Sequence, residues 1–202
     1  MPTLPTLPPS GVVDRIRSAG LIVGPAAFIS AWVASGALTE GYSPIRDHIS
    51  DLAAIDAPTR PLMNLGFTAF AVAVGLAASP MRRHLGTPAA FVLGANAVLS
   101  IGIMLAPLGQ SEQGDQIHGV VAGLGYLALA VTAPAAAPVL AKRSRSLAVA
   151  SVAVGAVSMA SLVASLVFKD QSGFWQRAGI TTTDAWLISM GLLVVTPSGR
   201  DR

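Results

Sequence analysis

Acidic and histidine side chains recur in this chain at a spacing that suits acid–base chemistry or polar recognition. His48 precedes Asp51 by three positions, and Asp115 precedes His118 by three positions. Residues three apart lie on the same face of a helix. Two histidines and two carboxylates from separate elements would also supply ligands for a divalent cation with one open position. Such spacings are common by chance, so we prefer a hydrogen-bonded cluster without a metal, and these four residues as metal ligands are the weaker alternative.

Asp184 is the ionisable residue that the sequence places deepest in an apolar segment. Because only about 18 Å of helix could follow it before Pro197, a membrane-spanning helix must begin near Arg177 or Ala178. Asp184 then lies about 10 Å below the end of that helix. An ionisable group at such a depth normally faces the protein interior and has a partner. We expect that partner to be Arg177, Arg46 or His118, in a structural ion pair or in a functional site.

The densest polar segment runs from Gly41 to Leu52. Ser43 suits the N-cap and Pro44 the first position of a helix, which predicts a short interfacial helix ending near Leu52. Its polar side either carries solvated charges or closes over a site. The candidate catalytic residues are Asp184, Asp51 and His118. The candidate ligand-binding residues are Tyr42, Ser43, Arg46, His48, Ser50, Asp115, Gln176 and Arg177.

Six apolar stretches must position these side chains. Only 11% of the 202 residues are charged, whereas soluble domains have about 25%. A helix needs about 20 residues to cross a membrane, which predicts an all-α bundle of six transmembrane helices. We expect one domain over residues 19–196, between a disordered tail over 1–18 and a short tail over 197–202. The predicted spans are 19–37, 61–79, 88–107, 119–140, 147–168 and 178–196.

The charges on the connections predict the orientation of the bundle. Nine Lys and Arg residues fall on the side that holds both termini, and four fall on the other side. The positive-inside rule then places both termini in the cytoplasm and the polar cluster outside a plasma (inner) membrane. A cleaved signal peptide ending near residues 33–37 is the less favoured alternative.

Small residues inside the spans predict where helices approach each other. Gly119 and Gly123 form a small-xxx-small step, while Ser151, Gly155, Ser158 and Ser165 share one face of the fifth span. We prefer close helix contact to a polar cavity at these positions. Since the chain has no cysteine, thiolate catalysis and thiolate metal sites are excluded. No basic stripe with interleaved aromatic residues indicates nucleic acid.

Three parts of the sequence resemble a bacterial membrane family known as domain of unknown function 998. They are Tyr42 to Leu52 after the first span, His118-Gly119 at the fourth, and Gly173 to Arg177 before the last, which contains Trp186. The resemblance implies a six-helix integral membrane fold. Ala53 stands where the family pattern has Gly. The pattern positions that the resemblance implies are Ser43, Arg46, Ser50, Asp51, His118, Gln176 and Arg177.

Three functions fit these observations, and the family resemblance adds no activity to them. The preferred one is an accessory protein that binds membrane lipids or a membrane-protein partner through its outer polar cluster. The second is an enzyme acting on a lipid or isoprenoid, with Asp184 or Asp51 as acid or base and Arg46 or Arg177 holding an anionic head group. A small transporter is third, because the two halves have no matching broken helices. The sequence indicates no cofactor.

Overall fold

The computed structural model describes residues 11–196 as a bundle of helices. Six segments in this range are long and apolar enough to cross a membrane, which confirms the predicted multi-pass fold. Two 3₁₀ helices, Ile49–Ala53 and Lys169–Gln171, lie in connections. The α-helices are α1 (Val12–Ser18), α2 (Gly20–Leu38), α3 (Arg60–Leu85), α4 (Thr87–Leu105), α5 (Glu112–Ala141), α6 (Arg145–Val167) and α7 (Ser172–Val195).

The six long helices form a closed ring. Each of α2 to α6 packs against the next helix in the chain, and α7 also packs against α2. We call the end of the ring that carries connections 39–59, 106–111 and 168–171 the acidic end, and the opposite end the basic end. Most of the chain's carboxylates lie at the acidic end. The ring leaves space along its axis, and this space becomes the candidate site.

Glycines allow two of the helix contacts. A Cβ at Gly20 of α2 would overlap the carbonyl oxygen of Ala73 in α3, and one at Gly155 of α6 would overlap the ring of Pro134 in α5. The predicted contact face of α6 is therefore confirmed, and its serines at 151, 158 and 165 are buried as well. The prediction for Gly119 and Gly123 is wrong, because a Cβ at either position would meet no atom within 4 Å.

Two helices begin earlier than their hydropathy predicts. The side chain of Ser111 accepts a hydrogen bond of 3.0 Å from the amide of Gly114, so α5 starts at Glu112 in polar sequence. Helix α7 starts at Ser172 rather than near residue 178. Residues 12–18, which we expected in a disordered tail, form α1, and Asp14 of α1 pairs with Arg83 of α3. The predictions for residues 1–10 and 197–202 lie outside the described residues.

The first connection contains a turn where the sequence predicted a continuous helix. The carbonyl of Ser43 accepts from the amide of Asp47 at 2.8 Å, and the carboxylate of Asp47 accepts from the amide of Ser43 at 2.6 Å. Asp51 then accepts from the amide of His48 at 2.7 Å, where the 3₁₀ helix begins. The predicted helix from Ser43 is wrong because the carbonyl groups of this segment turn toward α7 and bind it.

Candidate functional site

Arg177 binds the first connection to α7. Its Nη1 donates hydrogen bonds to the carbonyl oxygens of Pro44, Asp47 and Gly173 at 2.9, 2.8 and 2.9 Å. Its Nη2 donates to the hydroxyl of Tyr42. The guanidinium also lies 5.3 Å from the ring centroid of Trp32 and 5.4 Å from that of Tyr42, close enough for cation–π attraction. Arg177 is therefore occupied by the protein itself.

The first turn of α7 is capped by the same connection. The amides of Gly173 and Phe174 donate to the carbonyls of Arg46 and Ile45 at 3.3 and 2.9 Å. The hydroxyl of Ser172 donates to the carbonyl of Arg46 at 2.8 Å. These bonds satisfy amides that have no partner within a helix. We call this set of contacts between residues 42–47 and 172–177 the clamp.

Glycine is required at position 173 for the clamp to close. A Cβ at Gly173 would overlap the carbonyl oxygen of Asp47 and would approach Nη1 of Arg177 to 2.8 Å. The connection can therefore lie directly on the helix backbone. Tyr42 takes part in this closure through its hydroxyl, Arg46 through its carbonyl and Arg177 through its guanidinium.

A cavity lies beside the clamp, between the six spans. Its volume is about 330 Å³, at the lower end of the range of about 300–1,000 Å³ for small-molecule sites. Every span contributes to its wall, and most of the wall is apolar. Phe28, Phe67, Phe70, Ile103 and Leu129 line it, while His48, Ser50, Leu108 and Asp115 lie at the acidic end.

Asp184 lies in the wall of this cavity and is completely buried. The prediction that it faces the protein interior is therefore confirmed, although α7 begins at Ser172 and Asp184 lies about 18 Å from that end rather than about 10 Å. The predicted ion pair is wrong, because neither carboxyl oxygen has a hydrogen-bond partner among the described residues. Arg177 is turned to the clamp instead. Gln176, eight positions earlier on α7, also lines the cavity, so the polar wall of α7 extends over about 12 Å.

His118 presents one ring nitrogen without a partner. Its Nδ1 lies 2.6 Å from the carbonyl oxygen of Ala106. Because a carbonyl only accepts, Nδ1 carries the proton, and in the neutral ring Nε2 is an acceptor. Nε2 is buried and has no partner in residues 11–196. His118 lines the cavity and is 5% exposed, so it is positioned to bind a ligand there.

Asn96 of α4 is a further polar residue of the wall, and we did not predict it as a site residue. Its Nδ2 donates to the carbonyl of Gly125 at 2.8 Å, which leaves the buried Oδ1 without a partner in the described part of the chain. Asn96 lies nine positions from the acidic end of α4. An amide at that depth of an apolar span was the available signal, since polar residues there commonly bond across helices.

The structure divides the predicted site residues into two groups. The cavity wall contains His48, Ser50, Asp115, His118, Gln176 and Asp184, while Tyr42, Ser43, Arg46 and Arg177 belong to the clamp. Gln176 joins the groups, because its Oε1 accepts from the amide of Ile49 at 2.8 Å. The predicted lid, in which Arg46 and Asp51 are shielded over the site, is wrong, since both are exposed.

Asp51 lies near the cavity but outside its wall. Crowding by neighbouring atoms raises the pKa of its carboxyl, although the hydrogen bond from His48 and the charges of His48 and His118 act in the opposite direction. The weaker metal hypothesis for His48, Asp51, Asp115 and His118 has no geometric support. No three His, Asp or Glu side chains in the described range are grouped so that they could hold a metal ion.

The sequence of the chain matches a family over most of its length. Residues 22–193 match the family model described as protein of unknown function (DUF998). The chain belongs to this family. The match covers the clamp and the cavity and confirms the resemblance seen in the sequence. No curated protein and no solved structure matches the chain.

Proposed function

We propose that this DUF998 protein binds one amphiphilic molecule, such as a membrane lipid, in the cavity between its spans. The observation that carries the proposal is a mostly apolar cavity with partnerless polar atoms on three of its helices, at Asn96, His118 and Asp184. Small-molecule sites commonly combine an apolar wall with a few convergent polar groups. An amphiphile would place its chain against the phenylalanines and its polar end near these three residues.

The alternative of a purely structural polar cluster is less favourable. Buried polar atoms are normally hydrogen-bonded, because an unpaired one costs about 1–3 kcal/mol. A cluster that only stabilised the fold would satisfy most of its own groups, as the clamp does with both terminal nitrogens of Arg177. Asn96, His118 and Asp184 leave four such atoms without partners on one cavity. A bound molecule supplies the missing bonds.

We place the site on the extracytoplasmic side of the plasma membrane. The basic end carries Arg82, Arg83, Lys142, Arg143 and Arg145 in the described residues, and the positive-inside rule turns that end to the cytoplasm. The cavity reaches the opposite end, where His48, Ser50 and Asp115 line it. The amphiphile would therefore come from the outer leaflet or from outside the cell.

The test is to block the cavity and measure bound lipid. Ala122 of α5 lines the cavity, and Leu124, two positions on, is exposed and outside it. Two positions correspond to about 200° around a helix, so Leu124 faces the other way. The protein would be purified in mild detergent, and its lipids extracted and identified by mass spectrometry.

We expect Ala122→Phe to lose a lipid that the unmodified protein and the matched control Leu124→Phe both retain at near-stoichiometric amounts. Equal lipid content in all three proteins would contradict the proposal. Unfolding curves of both variants would confirm that the bundle is intact.

An enzyme remains the second candidate, on one observation. His118 has its Nδ1 held by a carbonyl while Nε2 faces the cavity that also contains Asp184. A histidine oriented in this way could serve as a general base. Incubation of the protein with isotopically labelled membrane lipids would test this. Conversion that His118→Gln abolishes, with lipid content unchanged, would favour the enzyme.

A further inference from the structure

The partnerless atoms of the cavity share one chemical property, which is that they accept hydrogen bonds. Asn96 donates one N–H of its amide group to Gly125, while its buried oxygen has no partner in the described residues. His118 uses its Nδ1 proton on Ala106, so Nε2 offers a lone pair. Neither oxygen of the Asp184 carboxyl group has a partner in the described residues, and both oxygens accept when the group is ionised. The polar end of the ligand must therefore bring donors.

Three hydroxyl groups deep in the wall do not provide competing donors. Ser100 donates to the carbonyl of Asn96 at 2.9 Å, and Ser165 donates to that of Leu162 at 2.7 Å. Tyr126 donates to the carbonyl of Gln176 at 3.3 Å. Each of these hydroxyl protons is used within the protein. Of the buried wall atoms that lack a partner in the described residues, all four are lone-pair acceptors, so an anionic head group would gain less from them than a donor would.

The charges around the mouth favour the same kind of ligand. Two exposed cations, Arg46 and Lys169, oppose six exposed carboxylates at the acidic end, and such an excess of one sign attracts the opposite charge. Asp115 lies in the mouth itself. The remaining arginine beside the cavity, Arg177, is engaged in the clamp. The six carboxylates are Glu40, Asp51, Asp56, Glu112, Asp115 and Asp170.

We infer that the cavity selects an amphiphile whose polar end donates hydrogen bonds, with an amine preferred to a hydroxyl and both preferred to a carboxylate or phosphate. This inference rests on the proposed function and specifies the ligand class. The ammonium group of an amine would pair with the carboxylate of Asp184 and donate to Asn96 and His118. A hydroxyl group would donate one such hydrogen bond and would carry no charge to pair with Asp184.

Four probes with the same chain test the preference: dodecylamine, dodecanol, dodecanoate and dodecyl phosphate. Each would be titrated into delipidated protein in phosphatidylcholine nanodiscs, with binding measured by native mass spectrometry. The Ala122→Phe protein gives the background from bilayer partition. We expect dodecylamine to bind at least tenfold more tightly than dodecanoate or dodecyl phosphate, with dodecanol between them.

The Asp184→Asn variant separates charge from shape. Since a hydrogen bond to a charged group contributes about 1.5–3 kcal/mol, we expect this variant to weaken dodecylamine binding by roughly tenfold to hundredfold. Dodecanol binding should change less. Leu124→Phe should leave both affinities unchanged.

Three results would overturn the inference. If dodecanoate or dodecyl phosphate binds as tightly as dodecylamine and Ala122→Phe blocks it, donor selection is wrong while the proposed binding function stands. If Ala122→Phe changes the binding of no probe, the donor selection and the proposed binding function are both wrong. An Asp184→Asn protein that folds and binds dodecylamine with full affinity would also overturn it. If that variant does not fold, the four-probe series on the unmodified protein decides.

Discussion

The clamp and the cavity treat buried ionisable groups in opposite ways. Arg177 and Asp184 lie seven positions apart on α7, and both are buried. Arg177 binds three carbonyl oxygens and a tyrosine hydroxyl, whereas neither carboxyl oxygen of Asp184 has a partner in the described residues. The first arrangement stabilises the fold. The second leaves hydrogen-bonding capacity unused. The presence or absence of protein partners therefore distinguishes a structural residue from a proposed ligand-binding one more clearly than depth in the membrane does.

The largest effect expected is loss of the clamp. Replacing Arg177 with Met removes its hydrogen bonds to the carbonyls of Pro44 and Asp47 and to Tyr42, so we expect the free energy of unfolding in micelles to fall by about 3 kcal/mol or more. Denaturation with SDS would measure it. Arg82→Met is the matched control, because Arg82 is exposed at the basic end. A loss no larger than in the control would show that the clamp does not stabilise the protein.

A smaller effect of opposite sign is expected at Asp184. Because the carboxylate has no protein partner to lose, Asp184→Asn should leave the ligand-free protein as stable as before or raise its free energy of unfolding by about 1 kcal/mol. The same denaturation assay on delipidated protein would measure the change. Destabilisation of more than about 1 kcal/mol would instead assign Asp184 to the packing of the bundle and break the comparison.

The smallest effect concerns Asp51, which lies between the two regions. Crowding raises the pKa of this carboxyl above its usual 3.8, so the folded state binds the proton more tightly than the unfolded state. The charged form therefore costs stability at neutral pH, and the cost disappears as the pH falls below 3.8. Asp51→Asn keeps an acceptor for the amide of His48 and lacks this cost.

We expect the Asp51→Asn protein to be more stable than the unmodified one at neutral pH, within about 0.5 kcal/mol. The difference should shrink as the pH is lowered toward 4. Thermal unfolding midpoints of the two proteins across this pH range would measure it. A difference that grows on acidification would mean that the interactions of Asp51 with His48 and His118 outweigh the crowding.

The sequence predicted the spans well and the partners of the polar residues poorly. Hydropathy locates a helix where apolar residues continue for a membrane's width, which is why all six spans were found. Hydropathy starts the fourth span too late, because polar residues 112–118 already belong to α5 before the apolar segment begins. Hydropathy also gives no information about α1, whose residues 12–18 include Asp14, Arg15 and Arg17.

The contacts of the candidate site depend on tertiary distances that no local pattern contains. The local pattern indicated, from the depth of Asp184 in an apolar segment, that this residue faces inward, but it could not show that Arg177 is already bound to backbone carbonyls of the first connection. It also favoured a helix from Ser43, because N-cap and proline preferences are local. Long-range bonds to α7 outweigh those preferences. Gly119 and Gly123 have the spacing of a helix-contact step, yet no neighbouring atom lies within 4 Å of a Cβ at either position.

The clamp also fixes an order of events during synthesis. Tyr42 and Arg177 are 135 positions apart, which at about 5–20 residues per second corresponds to roughly ten to thirty seconds of elongation. During that time the first connection has emerged and its partner helix does not yet exist. The carbonyls of Pro44, Ile45, Arg46 and Asp47 must stay hydrated until the final span inserts. The clamp therefore cannot form until α7 has been made, and a nascent chain stalled before α7 would leave these carbonyls without their partners in that helix.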